Sequence, residues 1–468
     1  MSFDSLAFAA FFFCSVFIYW RLPSEHGKRL FLTLASVFFY GFWDARYVAL
    51  MAFVIAVAYA AGRLMEGSNS ERTRKILLFV AVALHLSVLL FFKYFDFFAD
   101  SSAQLSLALG LGVSISRLDL VLPIGISFYT FHAISYTVDV FRRKVVAERD
   151  PVRIALYISF FPQLIAGPIV RSTFFLPQMR IPKVRDAEQL AAGLKSFALG
   201  FVFKTVLADN LATVADPVFA DPGAWNVQAL WIGALAYYGQ IYFDFAGYSL
   251  MAIGAAAWFG YTLPDNFLWP YTASSVTEFW RRWHVSLSTW LRDYLYIPLG
   301  GGRRGRWVMY GSLWVTMLLG GLWHGASWNF VIWGALHGFA LCVHKTWREL
   351  RGGPTDDRFH VPGWLLTQLW VLFAWVFFRC QEFDTAFEFV AGMLGLREST
   401  DSQQQLPVFL IAVITTVLLV DSLAGRWRKV LPSVSVSPGG YAAVIGCVFA
   451  LALWLIPLTA VPFIYFQF

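Results

Sequence analysis

The feature that most constrains this chain is a succession of unbroken apolar runs, among them Ser5–Trp20, Ile76–Phe92, Leu120–Phe141 and Trp307–Trp323. Each approaches the ~20 residues that carry a helix across a bilayer, and none shows the ~10-residue alternation of an outer-membrane barrel. Of the 468 residues, 58% are hydrophobic and 14% charged, against roughly 25% charged in a soluble domain. So little polar surface cannot cover a fold in water. The reading is an all-α polytopic membrane protein, one integral domain over residues 1–468. The first run has no basic residue before it and no small-residue cleavage site, so it is expected to be a retained helix.

Basic loops orient the runs, because Lys and Arg accumulate on the inner side. Loops holding Arg21, Lys28 and Arg29, then Arg63, Arg72, Arg74 and Lys75, place the first residues and the turn near Asp44 outside. An acidic, serine-containing loop with Asp96 and Asp100 is expected outside, and Arg142, Arg143 and Lys144 inside. Ile154–Val170 lies between two basic loops and contains FPQLIAGP. Such backbone is tolerated at membrane depth only when buried in protein or lining a wet cavity, so a re-entrant segment is expected. Gly193–Ala208 leads to an outer loop, Asp209–Asp221, and Gln228–Leu263 returns. Later spans are expected at Trp364–Phe378, Leu406–Val420 and Tyr441–Pro462, with Gln381–Gln405 an outer loop. The total is roughly eleven spans plus re-entrant or interfacial helices, and the end of the sequence falls outside. No internal repeat is present, so an inverted-repeat transporter gains no support. The net charge of +7 is spread through helix-punctuating loops, which speaks against nucleic-acid binding. The four cysteines lie in apolar runs without disulfide or metal spacing and read as buried, inert thiols.

Two stretches carry the chemistry. Asn266–Arg306 mixes tryptophan, tyrosine, proline and arginine, the composition of short helices at a membrane interface, ending at Gly300–Gly302. Gly320–Gly338, GGLWHGASWNFVIWGALHG, sets His324 in an uncharged segment. An imidazole there faces either a cavity or a structural hydrogen-bond partner. His324, and His284 in FWRRWHVSLS, are the candidates for a general base. His337 and His344 are seven residues apart and share a helix face, with His337 placed to line the same cavity as His324. His85 and His132 read as satisfied core histidines. Asp244, in YFDFAGYS, is either a hydrogen-bonded structural carboxylate or a group used in chemistry. No G-x-S-x-G, HExxH or Walker loop occurs, so soluble hydrolase, metalloprotease and ATPase readings lack their motifs, and no metal is expected.

The segments SFYTFHAISYTVDVFR, FFPQLIAGPIVR, YFDFAGYS, NFLWPY, FWRRWHVSLSTWLRDYLYIPLGG and GGLWHGASWNFVIWGALHG resemble the membrane-bound O-acyltransferase (MBOAT) family, and within it the bacterial alginate O-acetyltransferase type. The resemblance implies helices around a thinned centre crossed by a tunnel, with a catalytic core over residues 120–345. It puts the family's nearly invariant histidine at His324 and its second histidine at His284. Trp323, Asn329, Asp244 and His337 become candidates for the tunnel lining. Arg281, Arg282, Arg303, Arg304 and Arg306 become candidates for the phosphates of acetyl-CoA, the implied donor; their other reading is ordinary inner-face charge. The implied activity is acetyl transfer to an exported polysaccharide such as alginate, through a periplasmic acetyltransferase partner, in a bacterial inner membrane with both termini periplasmic. Peptidoglycan O-acetylation, D-alanyl export, or a polysaccharide or lipid transporter are the alternatives. The aromatic tail at 463–468, FIYFQF, holds Tyr465 as a possible acyl relay or an interfacial anchor.

Overall fold

The computed structural model describes residues 1–165, 167–352 and 359–397, and then 446–447, 449–450, 452, 455 and 462–464. Every regular element among them is helical. The span expected at 406–420, most of that at 441–462, and Tyr465 lie outside the described residues. Four described helices are long and apolar enough to cross a membrane: Arg46–Glu66, Glu71–Ala108, Ala187–Ala220 and Val361–Arg379. Leu6–Arg21 is apolar but shorter. The chain forms two compact units, Met1–Phe197 with Met251–Pro264, and Ala198–Leu250 with Asp265–Phe468.

The first unit holds α1 (Leu6–Arg21), α2 (Glu25–Gly41), α3 (Arg46–Glu66), α4 (Glu71–Leu89), α5 (Phe95–Ala108), α6 (Ile126–Phe141), α7 (Pro151–Ser159), α8 (Phe161–Leu164), α9 (Ser172–Phe175) and the start of α10 (Ala187–Val202). Ser5, Ser24, Ser70 and Asp150 cap α1, α2, α4 and α7 by accepting from Phe8, Gly27, Thr73 and Val152 N–H, which satisfies donors that a helix start leaves unpaired. Arg74 is buried and donates to the carbonyls of Met65 (2.6 Å), Val140 (3.1 Å) and Phe141 (2.9 Å). One guanidinium thus closes the negative ends of α3 and α6 together.

FPQLIAGP breaks its helix as its prolines require, α7 stopping at Ser159 and α8 restarting at Phe161. The surrounding backbone is buried in protein and bonded. Val170 N–H donates to His132 Nε2 (3.1 Å), Tyr157 Oη donates to Val170 O (3.0 Å), and Gln163 Nε2 donates to Tyr157 O (2.6 Å). His132 is therefore a bonded core histidine. His85 differs from that expectation: it is fully buried, and neither ring nitrogen has a hydrogen-bond partner among the described residues.

Three expected loops are helical. The acidic stretch around Asp96 and Asp100 is α5, continuous with α4 through a π-turn at Leu90–Tyr94. Residues expected to form the outer loop after Ala208 are helix as well, as is much of the stretch after Gln381. The cysteine expectation holds for Cys380 alone: Cys14 and Cys447 are exposed and Cys342 intermediate. Cys14 lies on the face of α1 that also exposes Phe13 and Phe17, a surface suited to hydrocarbon rather than to a protein core.

The second unit continues from α10 through a π-turn at Phe203–Ala208 into α11 (Asp209–Ala220), followed by α12 (Val227–Ala257), whose residues to Leu250 belong here. Two seven-residue helices follow, α13 (Val276–Arg282) and α14 (Val285–Leu291), as short as the helices expected in this stretch. Then come α15 (Arg306–His324), α16 (Trp328–Leu350), α17 (Val361–Arg379) and α18 (Phe383–Met393). α18 forms because Ala386, Phe389, Gly392 and Met393 fall on one buried face. α15 and α16 touch backbone to backbone. A Cβ at Gly321 would stand 2.1 Å from Phe330 O, and one at Gly334 would stand 2.4 Å from Met317 O.

Candidate functional site

All of the histidines singled out for chemistry belong to the second unit, where indole rings join them into a row. His324 is the last residue of α15. The helix stops there because Gly325 is extended, with the Phe330 ring 2.0 Å from where its Cβ would sit. The His324 ring is 4% exposed and is met edge-on by Trp323 (5.0 Å), Trp333 (5.0 Å) and Phe378 (5.1 Å). Trp323 also faces His284, at 6.0 Å. On the other side Trp333 meets His337 at 4.9 Å, and Trp280 meets it at 5.0 Å. The order is His284, Trp323, His324, Trp333, His337. The glycine contact between α15 and α16 fixes it, because Trp333 precedes Gly334 and Trp323 follows Gly321 by two residues.

His284 is assembled from two sequence segments. Leu268 N–H donates to Arg282 O and Val285 N–H to Asn266 O, both at 2.9 Å, which lays residues 266–268 beside 282–285. Asn266 Oδ1 then stands 3.1 Å from His284 Nδ1, and accepts from Ser286 Oγ (2.8 Å) and Ser286 N–H (3.3 Å). Asn266 Nδ2 donates to Ser249 Oγ on α12 (3.1 Å). His284 holds a left-handed backbone, φ 41°, uncommon for a non-glycine residue and worth a functional reading. Its ring is fully buried, edge-on to Phe245 at 4.6 Å, and Nε2 has no hydrogen-bond partner among the described residues.

Asp244 lies one residue before Phe245, inside an ionic cluster. Lys204 Nζ donates to Asp209 Oδ1 (2.6 Å) and lies 3.1 Å from Asp244 Oδ1, while Asp244 Oδ2 accepts from Ile464 N–H (2.7 Å). Gly247 lets α12 approach this cluster, since a Cβ there would meet Gly200 O at 2.7 Å and Lys204 N at 2.9 Å. Phe463 packs on Tyr248 at 4.0 Å and Phe245 at 6.1 Å. Ser249, Asn266, Lys204 and Asp209 escaped the sequence reading. Lys204 had a signal, a lone cation in an apolar run, whereas Asn266 is a neutral amide in a polar stretch and had none.

The remaining candidates are placed as follows. Arg282 is half-buried and bonds Glu278 and Thr272; Arg281, Arg303 and Arg304 are exposed. Arg306 pairs with Glu349 at 3.3 Å. Asn329 donates both amide hydrogens to backbone, Cys380 O (2.8 Å) and Glu382 O (2.9 Å), and so ties the start of α16 to the end of α17. His344 Nδ1 is 2.8 Å from Thr277 Oγ1.

Comparison with known proteins adds the family context. Residues 126–382 match MBOAT, the membrane-bound O-acyltransferase family. The probable alginate O-acetylase AlgI of Pseudomonas putida is 38% identical over 447 residues, covering 94% of this chain and 90% of that protein. The peptidoglycan O-acetyltransferase of Helicobacter pylori is 37% identical over 399 residues, covering 79% and 74%. The teichoic acid D-alanyltransferase of Streptococcus thermophilus is 30% identical over 250 residues, covering 50% and 60%.

Proposed function

Because this chain belongs to the membrane-bound O-acyltransferase family, and so is an acyltransferase enzyme, we propose that it takes an acetyl group from cytoplasmic acetyl-CoA and passes it across the bacterial inner membrane for O-acetylation of an exported polysaccharide. The observation that carries the reading is His324 at the end of α15, enclosed by Trp323, Trp333 and Phe378. A neutral imidazole there takes the proton from an acceptor hydroxyl as the oxygen attacks the thioester carbonyl. The new C–O bond forms, the C–S bond breaks, and the thiolate departs and is protonated. Water-poor aromatic walls suit this step, since hydrolysis is the competing loss.

In this reading the exposed Arg281, Arg303 and Arg304 draw the donor's phosphates to the inner face. Alginate is the favoured acceptor, from the extent of the match to the Pseudomonas putida relative, with a periplasmic acetyltransferase completing delivery. Peptidoglycan is the second reading, favoured by the 37% identity of the Helicobacter pylori relative. His324→Ala is expected to lower thiol release from acetyl-CoA and glycan acetylation by about 10²–10⁴-fold, with normal accumulation in the membrane. Near-normal acetylation in that variant would remove His324 from the mechanism.

A further inference from the structure

Asn266 decides which nitrogen of His284 carries the proton. Ser286 N–H can only donate, so the Asn266 atom facing it at 3.3 Å is the oxygen, and the amide nitrogen is left to donate to Ser249 Oγ. The orientation of the amide follows from those two bonds. The same oxygen lies 3.1 Å from His284 Nδ1. If Nδ1 were bare, two lone pairs would face each other in a buried site, so Nδ1 carries the hydrogen and donates it. Ser286 Oγ does not change this, because its own hydrogen goes to Asn266 Oδ1 at 2.8 Å rather than to Nδ1 at 3.4 Å. In a neutral imidazole a protonated Nδ1 leaves Nε2 as a lone-pair acceptor. That Nε2 is the buried atom with no hydrogen-bond partner among the described residues.

We propose that Asn266 is a positioning residue that locks His284 in its Nδ1–H tautomer, presenting Nε2 as a hydrogen-bond acceptor to an N–H or O–H of the bound substrate. The inference rests on the proposed function only in taking acyl transfer as the chemistry that His284, the second candidate base, serves. It constrains the chemistry. His284 receives a hydrogen at Nε2, and it cannot hand a proton to the departing thiolate from that atom until it has first taken one. The left-handed backbone at His284 belongs to the same device. With φ at 41°, Val285 N–H is turned onto Asn266 O and the ring edge onto Asn266 Oδ1.

The test is the ¹⁵N spectrum of histidine-labelled full-length protein, with residue 284 assigned from His284→Ala. The expected result is a pyrrole-type Nδ1 and a pyridine-type Nε2, with that preference lost in Asn266→Ala. Asn266→Ala is also expected to lower kcat for thiol release about 10–100-fold, the usual cost of losing a group that orients a functional histidine, with little change in KM for acetyl-CoA. Asn266→Asp restores an oxygen acceptor and is expected to recover kcat on the alkaline side of the pH profile, where the imidazole is neutral. A proton on Nε2 in the unmodified protein overturns the inference, as does an unchanged spectrum with unchanged kcat in Asn266→Ala. The unmodified protein's spectrum decides the matter if that variant does not fold. Absence of thiol release by the unmodified protein would count against the proposed function and leave the tautomer to the spectrum.

Discussion

At the residue scale, the buried charges separate those chosen for chemistry from those that hold the fold. Lys204 stands between Asp209 and Asp244, so removing it strands two carboxylates. Lys204→Met is expected to destabilise the protein by about 3–5 kcal/mol, the cost of breaking a buried pair by deleting one partner. Thermal unfolding in detergent checks this, and an unchanged melting temperature would show that the cluster contributes nothing. Glu148 makes a pH-dependent contribution in the loop after α6. Burial pushes its carboxyl up, but the N–H groups of Asp150 and Arg149 and the charges of Arg153 and Arg180 outweigh burial and hold it below its ordinary 4.5. A depressed carboxylate stabilises the fold above its unfolded value and loses that contribution as pH falls through its folded value. Melting temperature is therefore expected to drop on acidification below about 4.5, and Glu148→Gln to flatten that dependence. His324 was legible because an imidazole in an uncharged run is conspicuous. Lys204 is conspicuous in the same way, although one of its two carboxylate partners, Asp244, comes from a distant helix; Asn266 is not, since it takes its meaning from Ser249 and His284 on other segments.

At the element scale, apolar runs located the helices, while polar letters misplaced several boundaries. Asp209 reads in the sequence as the start of a loop, yet α11 begins there, with its charge neutralised by Lys204 from the preceding π-turn. The π-turns themselves, at Leu90–Tyr94, Phe203–Ala208 and Arg292–Tyr296, leave no periodic trace in sequence, although such turns frequently accompany functional sites. The glycines of the α15–α16 crossing stand out in composition, but composition does not give their purpose. Their purpose is clearance. Gly334→Val would push side-chain carbons into Met317 O, and is expected to cost about 1–3 kcal/mol from overpacking. Because His324 and Trp333 flank the crossing, catalytic rate should fall more than stability. Activity per folded molecule, measured against the melting curve, separates the two effects, and equal losses would deny the crossing a role in placing the site.

At the scale of the whole molecule, the class of protein and its family were readable from long motifs, because those motifs are where backbone clearance and ring packing leave few choices. The row from His284 to His337 was not, since it exists only once Trp323 and Trp333 are brought between histidines of different segments. Asn329 shows what a motif does not carry: both its amide hydrogens go to the Cys380 and Glu382 carbonyls, partners on a distant segment. The glycine crossing also bears on how such chains can diverge. Every single-nucleotide change that alters a glycine codon's amino acid introduces a residue with a Cβ or ends translation. At Gly321 and Gly334, lineages must therefore keep glycine or move two helices at once. Relatives that share only 37–38% of this sequence are expected to have drifted around these two codons, and to have inherited the crossing as a unit.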